Sequence, residues 1–176
     1  MESALAAAAE QNIYGQTPTV REIDVAERYQ RERNKPMPSK NHSRVQRRLT
    51  VVLDKLLGGE YDIYPEFEIE LLGRKSVPDL SILPIEQPDW EHDMVRGKDA
   101  PVLTIEILSP KQALGTLSKK IREIYFPAGV KSSWIVMPDL KSITIMHPNG
   151  KIQTFNQGIL KDDALGLEAD LADIFR

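Results

Sequence analysis

The segment VLTIEILSPKQALGTLSKKIREIYFPAGVKSSWIVM, residues 102–137, decides the fold of this chain. Residues 102–108 are apolar except for a threonine and Glu106, which is typical of a central strand covered on both faces. Residues 113–126 have the spacing of an amphipathic helix, and residues 133–137 form a second apolar run. The apolar face of the helix consists of Leu114, Leu117, Ile121 and Ile124. A helix between two such strands predicts a right-handed crossover with parallel strand pairing.

The flanking sequence extends this unit into a larger sheet. Residues 63–72 and 77–83 are predicted strands, and 141–147 and 151–155 form a hairpin around Pro-Asn-Gly. A helix capped by Asn41 or Ser43 precedes them, and a short helix is expected in the tail, residues 165–175. The fold class is therefore α/β, a mixed β-sheet flanked by α-helices. We expect a loose N-terminal arm, residues 1–20, and a single α/β domain, residues 21–176.

Composition narrows the functional classes. The 176 residues include no cysteine, so disulfides and cysteine zinc sites are excluded and a metal must bind oxygen or histidine. The start of the chain lacks the basic and apolar regions of a signal peptide, and no apolar run is long enough for a membrane helix. We therefore expect a cytoplasmic protein with no membrane partner.

The net charge of −3 is the sum over a chain in which three segments alternate in the sign of their charge. Basic residues dominate 21–48 and 109–131, whereas acidic residues dominate 60–93. An acidic centre between basic flanks suits a metal-dependent site that acts on a polyanion. For charge runs alone, ordinary solvated faces are the favoured interpretation.

Two carboxylates lie where packing alone would not put them. Glu106 interrupts an apolar strand, and a buried carboxylate needs a cation, a proton or hydrogen bonds. Asp79 follows Pro78 in the preceding predicted strand. Together they would form an oxygen-rich site suited to Mg²⁺ or Mn²⁺. The alternatives are a Pro-Asp turn for Asp79 and a strand-end glutamate paired with a lysine for Glu106.

A lysine could complete this site. On the predicted helix, Lys119 lies opposite the apolar face, whereas Lys120 lies at its border and can extend back toward the sheet. We therefore prefer Lys120 as the cationic member. The alternative is an ordinary lysine at the edge of an amphipathic helix.

Several blocks of the chain follow one another in a distinctive order and spacing. They are Val77-Pro78-Asp79-Leu80-Ser81-Ile82, Leu103-Thr104-Ile105-Glu106-Ile107-Leu108-Ser109-Pro110, Lys120 with Tyr125, Ala128-Gly129-Val130, and Ser133-Trp134-Ile135-Val136-Met137-Pro138. Together these blocks resemble the Uma-two type of restriction endonuclease, a family of the PD-(D/E)XK nuclease superfamily, although each block alone is weak evidence. The resemblance spans about residues 41–155. The resemblance implies a restriction-endonuclease-like core with its metal site at the edge of the sheet.

The resemblance also implies roles for particular residues. Asp79 and Glu106 match the acidic motif positions and, with the backbone carbonyl of Ile107, would hold Mg²⁺ or Mn²⁺. The superfamily's lysine position is occupied here by Leu108, so Lys120 would take the catalytic role from the following helix. The spacing from Lys120 to Tyr125 is one residue longer than the resemblance leads us to expect.

Several other residues are weaker candidates for the functional site. Glu66 or Glu68 could add an acidic ligand, although the solvent face of an edge strand is the favoured interpretation. His42 could approach the site or a phosphate, although a histidine on a polar surface near the helix start is favoured. Trp90 and His92, in a long polar loop, could stack on a base, although a loop anchor is favoured.

These features predict a metal-dependent endonuclease that hydrolyses phosphodiester bonds of DNA. The alternative is a catalytically inactive nuclease-like domain that binds nucleic acid or a protein, which the leucine at position 108 favours. A third class, a dimerisation domain, stays open because the apolar strands and the hairpin could supply an interface. A homodimer would be compatible with nuclease activity.

Overall fold

The predicted strand–helix–strand unit forms the centre of a six-stranded sheet in the computed structural model. The structure describes Glu27, Lys35 and residues 37–176, and the elements below all belong to the compact unit Pro38–Arg176. Strands Leu103–Ile107 and Ser132–Met137 pair in parallel, with Glu106 opposite Ile135. The predicted parallel pairing, with a helix between the two strands, is therefore confirmed. The predicted arm, residues 1–20, lies outside the described residues.

We number the elements along the described chain. The helices are α1 (Lys40–Leu57), α2 (Leu114–Lys120) and α3 (Leu171–Ile174), with a π-helical turn (Ile121–Tyr125) continuing α2. The strands are β1 (Tyr61–Pro65), β2 (Glu68–Leu71), β3 (Arg74–Ser76), β4 (Leu80–Pro84), β5 (Arg96–Gly97), β6 (Leu103–Ile107), β7 (Ser132–Met137), β8 (Ser142–Met146), β9 (Ile152–Phe155), β10 (Ile159–Asp162) and β11 (Leu167–Asp170). Short 3₁₀ turns span Phe126–Ala128 and Pro138–Leu140.

The main sheet has the order β1-β4-β6-β7-β8-β9. Only β6 and β7 pair in parallel within it, and the other neighbours are antiparallel. A three-stranded sheet, β3-β2-β5, and a two-stranded sheet, β10-β11, accompany it. The predicted mixed sheet with flanking helices is confirmed.

The main sheet separates two apolar cores, because successive side chains of a strand point to opposite faces. Leu103, Ile105 and Ile107 of β6 enter the α1-side core, with Leu49 and Leu53 of α1. The α2-side core is formed by Ile69, Leu71, Leu117, Ile121, Tyr125, Val130, Ile135 and Met146. Glu106 therefore projects toward the α2-side core.

Helix α1 begins slightly earlier than predicted, so Asn41 and Ser43 lie inside the helix and neither is its cap. Ser39 caps it, since its hydroxyl accepts the His42 amide at 3.2 Å. Val45, Leu49 and Leu53 recur at a spacing of four residues and are buried against the sheet. The site-facing end of α1 is thereby fixed near the start of β4.

Three predicted elements differ from the structure. The single strand predicted for residues 63–72 is divided between β1 and β2, in different sheets, because the chain turns at Glu66 with a φ of 53°. The predicted helix 113–126 changes from α to π to 3₁₀. The tail contains strand β11 before a helix of only four residues.

None of the helices in the described part of the chain combines the length and apolar character needed to cross a bilayer.

Candidate active site

Asp79 lies immediately before β4 and is buried, with 1% of its surface exposed. In the β4–β6 register Leu80 is opposite Ile105, so continuing it by one residue brings Asp79 opposite Glu106. Asp79 Oδ2 accepts the backbone N–H of Ile107 at 2.6 Å. Asp79, just before β4, thus lies at the same level of the sheet as Glu106 on the neighbouring strand β6.

Glu106 is buried in β6, with 2% of its surface exposed. Its Oε1 accepts a hydrogen bond from Lys120 Nζ at 2.8 Å and another from the Tyr125 hydroxyl. None of the hydrogen bonds among the described residues involves its other oxygen, Oε2. Glu106 is therefore a carboxylate with one oxygen held by two donors and one oxygen available.

Lys120 is the accessible member of this group, with 22% of its side chain exposed. The expectation that it extends back toward the sheet is met, since its ammonium group pairs with Glu106 and lies 5.5 Å from the centre of the Tyr125 ring. Leu108 packs against the α2-side core. The structure thus brings Lys120, and not the residue two positions after Glu106, to the carboxylate.

The donor set fits a hard divalent cation. Asp79, Glu106 and backbone carbonyls such as that of Ile107 provide only oxygen atoms, the ligand type that Mg²⁺ and Mn²⁺ prefer. Within residues 37–176, no three histidine or acidic side chains cluster as a ready metal cage. Mg²⁺ needs no such cage, since it is held by one or two carboxylates and keeps several waters.

His42 is placed differently from the favoured sequence interpretation. It is buried on α1, and its Nε2 lies 3.2 Å from Asp79 Oδ1. One turn further along α1, the Gln46 side-chain amide donates to the Asp79 carbonyl at 2.9 Å. The surface interpretation was wrong because α1 packs its apolar side over the sheet and turns His42 inward with it.

The candidate acidic ligands Glu66 and Glu68 have different positions. Glu66 is half-buried in the turn before β2, and its backbone N–H donates to the Asp79 carbonyl at 3.2 Å. Glu68, on β2, forms an ion pair with Arg96 of β5. Glu68 is therefore already neutralised by a guanidinium group.

The long loop before β5 carries Trp90 and His92 on the surface. Trp90 is 88% exposed, so its favoured interpretation as a loop anchor was wrong. His92 pairs with Asp89 at 3.2 Å, and this hydrogen bond together with two backbone ones shapes the loop. Nothing among the described contacts brings either side chain to Glu106.

Sequence reasoning gave no role to Tyr125 and Ser76. The Tyr125 hydroxyl contacts Glu106 on one side and lies 2.8 Å from Ser76 Oγ, at the end of β3, on the other. Burial first, and then the charge of Glu106, hold the pKa of Tyr125 well above its usual value. The phenol therefore stays protonated and donates to the carboxylate, while Ser76 donates to the phenol. The sequence signal that could have indicated a role for Tyr125 was a single tyrosine in an apolar helix, five residues after a lysine.

A second polar cluster lies on the α1 side, at β7 and β10. Buried Asp162 accepts hydrogen bonds from Ser132 Oγ at 2.5 Å and Trp134 Nε1 at 2.7 Å, and His147 Nε2 lies 3.9 Å away. Although the residue types are those of a hydrolase triad, the serine donates directly to the aspartate and is fully buried. This cluster connects β10 to the main sheet and offers no exposed nucleophile.

Asp79 and Glu106 thus lie opposite each other on a mixed sheet flanked by helices, with Lys120 bonded to Glu106. A family model, Uma2, described as "Putative restriction endonuclease", matches residues 29–172. The chain therefore belongs to the Uma2 family.

A solved structure has the same fold. It is a putative nuclease belonging to DUF820 from Anabaena variabilis, with a TM-score of 0.70 and 23% sequence identity, and the match covers 80% of this chain and 83% of that one. None of the curated proteins matches the chain.

Proposed function

We propose that this protein is a metal-dependent endonuclease that hydrolyses phosphodiester bonds of DNA. The observation that carries the proposal is the group at Glu106, with Asp79 on the neighbouring strand and Lys120 bonded to the glutamate. The restriction-endonuclease description of the family and the nuclease description of the structural neighbour support it.

Asp79, Glu106 and the Ile107 carbonyl would hold Mg²⁺ or Mn²⁺. When bound, such a cation lowers the pKa of a coordinated water and neutralises charge on the scissile phosphate. Lys120, being partly exposed, would orient the attacking water or stabilise the negative charge that develops in the transition state. His42 and Gln46 would keep Asp79 in place from the α1 side.

The basic side chains on the outer face of α1 support the proposal that the substrate is a polyanion. Lys40, Arg44 and Arg47 are exposed there and form no ion pair with any described residue. His42 and Gln46, on the opposite side of the same helix, contact Asp79, so this basic face is the solvent side of the helix that reaches the candidate site. We assign these side chains to the phosphate backbone, which they would contact without reading sequence.

The proposal is tested by incubating the purified protein with supercoiled plasmid in Mg²⁺, in Mn²⁺ and with a chelator. We expect nicked and linear DNA with either metal and none with the chelator. A structured RNA in parallel reactions tests the choice of DNA. Intact plasmid under every condition would contradict the proposal.

A second candidate function is a binding module without catalysis. Two observations favour it: leucine at position 108, and the near-complete burial of Asp79 and Glu106. Binding of DNA without cleavage in either metal would support this module and exclude the enzyme.

Replacing Arg44 and Arg47 together with alanine should weaken DNA binding. Each lost phosphate contact lowers the slope of log K against log salt by about 0.9, so the double variant should lose roughly 2 units of slope. Fluorescence anisotropy over a salt series measures this, with metal omitted to prevent cleavage. Lys161→Ala, which removes an exposed lysine paired with Glu168, is the matched control and should leave the slope unchanged. An unchanged slope in the double variant would exclude this face of α1 as the DNA contact.

A further inference from the structure

The π-helical turn after α2 has a direct geometric effect at Glu106. In an α-helix, residues five positions apart point about 140° away from each other. Here the Phe126 N–H donates to the Ile121 carbonyl, the five-residue spacing of a π-helix. The wider turn brings Lys120 and Tyr125 to the same side, where both donate to Glu106 Oε1. The extra residue between them is thus accommodated by the π-helical turn.

We infer that Tyr125 is a positioning residue that fixes Glu106 so that Oε2 is presented to the metal and Lys120 is free to turn to the substrate. The inference rests on the proposed nuclease function and extends it to the partner that holds the glutamate.

The distribution of donors on Glu106 is the first support. With both donors on Oε1, the carboxylate cannot rotate without breaking two hydrogen bonds, one of them to a fully buried group. Partners that orient a metal-binding side chain in this way commonly change metal affinity when they are removed. Tyr125 therefore selects which oxygen faces the metal.

The unequal exposure of the two donors is the second support. Lys120 is partly exposed on its helix, whereas Tyr125 is fully buried and held from behind by Ser76. If Lys120 moves toward a phosphate or an attacking water, the phenol still satisfies Oε1. Without Tyr125, the same movement would leave a buried carboxylate oxygen with no donor, which is costly.

The test is titration of the metal-free protein with Mn²⁺ by isothermal calorimetry. We expect Tyr125→Phe to bind Mn²⁺ about 10- to 100-fold more weakly than the wild type. Ser76→Ala, which removes only the hydroxyl behind the phenol, should shift the affinity in the same direction by less. Tyr64→Phe is the matched control, since Tyr64 is exposed and its hydroxyl donates, among the described residues, to Asp62 alone, at 3.4 Å.

The outcomes separate this inference from the proposed function. If the wild type binds Mn²⁺ and cleaves DNA but Tyr125→Phe binds Mn²⁺ equally well, the role of Tyr125 is overturned and the nuclease stands. If the wild type binds no Mn²⁺, both proposals fail. Should Tyr125→Phe not fold, as judged by circular dichroism, Ser76→Ala decides: unchanged affinity in it would overturn the inference.

Discussion

Asp162→Ala is expected to lower the melting temperature by about 10 °C, since it should cost about 3–5 kcal/mol of folding free energy. Asp162 accepts from Ser132, from the Trp134 indole and from the Ala164 backbone N–H, at 2.5, 2.7 and 3.1 Å. Removing the carboxylate leaves the Ser132 and Trp134 donors buried without an acceptor. Each such group costs about 1–3 kcal/mol.

Thermal unfolding followed by circular dichroism measures this loss, and the adjacent acid supplies the control. Asp163 is exposed and pairs with Lys151 at 2.7 Å, so Asp163→Ala should change the melting temperature far less than Asp162→Ala. If Asp162→Ala is too unstable to purify, Asp162→Asn keeps one acceptor oxygen and should still melt below the wild type. Equal melting temperatures for both Asp162 variants and the wild type would contradict the assignment of this cluster as the connection between β10 and the sheet.

The centre of the fold could be predicted because its signals are local and redundant. The strands β6 and β7 are short apolar runs with a helical repeat between them, and a helix between two such strands is typical of a crossover. Glu106 and Asp79 were visible as carboxylates at positions where burial was expected. Lys120 followed from its place at the border of the apolar helix face. Each of these inferences depends on the spacing of apolar residues, which can be read directly from the sequence.

The remaining features depend on contacts distant in sequence. His42 lies among polar residues at a helix start, and only the packing of α1 over the strand end turns it inward to Asp79. A π-helical turn has no strong sequence signature, and here it accompanies two hydrogen bonds to one carboxylate oxygen. Asp162 gains its partners only when β10 folds back on β7. Local secondary-structure propensity carries no information about contacts between residues that are distant in sequence.

The largest expected effect on activity comes from Asp79→Asn, which should slow plasmid cleavage by about 10³-fold. Metal-assisted hydrolysis supplies several kcal/mol of transition-state stabilisation, and each 1.36 kcal/mol corresponds to a factor of ten in rate. Asparagine is nearly isosteric and can still accept the Ile107 N–H, so the fold should be kept. Initial rates of nicking and the Mn²⁺ affinity should both fall. Asp54→Asn, an exposed change on α1, should alter neither.

Lys120→Met provides the complementary result. Because Lys120 is assigned to the water or the phosphate and not to the metal, its loss should slow cleavage by about 10²- to 10³-fold, as for loss of one electrostatic donor. Removing a positive charge beside Glu106 should leave the Mn²⁺ affinity equal or higher, since the ammonium group competes with a cation for that carboxylate. Loss of metal binding in Lys120→Met, or full cleavage activity in Asp79→Asn, would contradict this division of roles. The metal-dependent mechanism would be supported if Asp79→Asn lowers both the cleavage rate and the Mn²⁺ affinity, whereas Lys120→Met lowers only the cleavage rate.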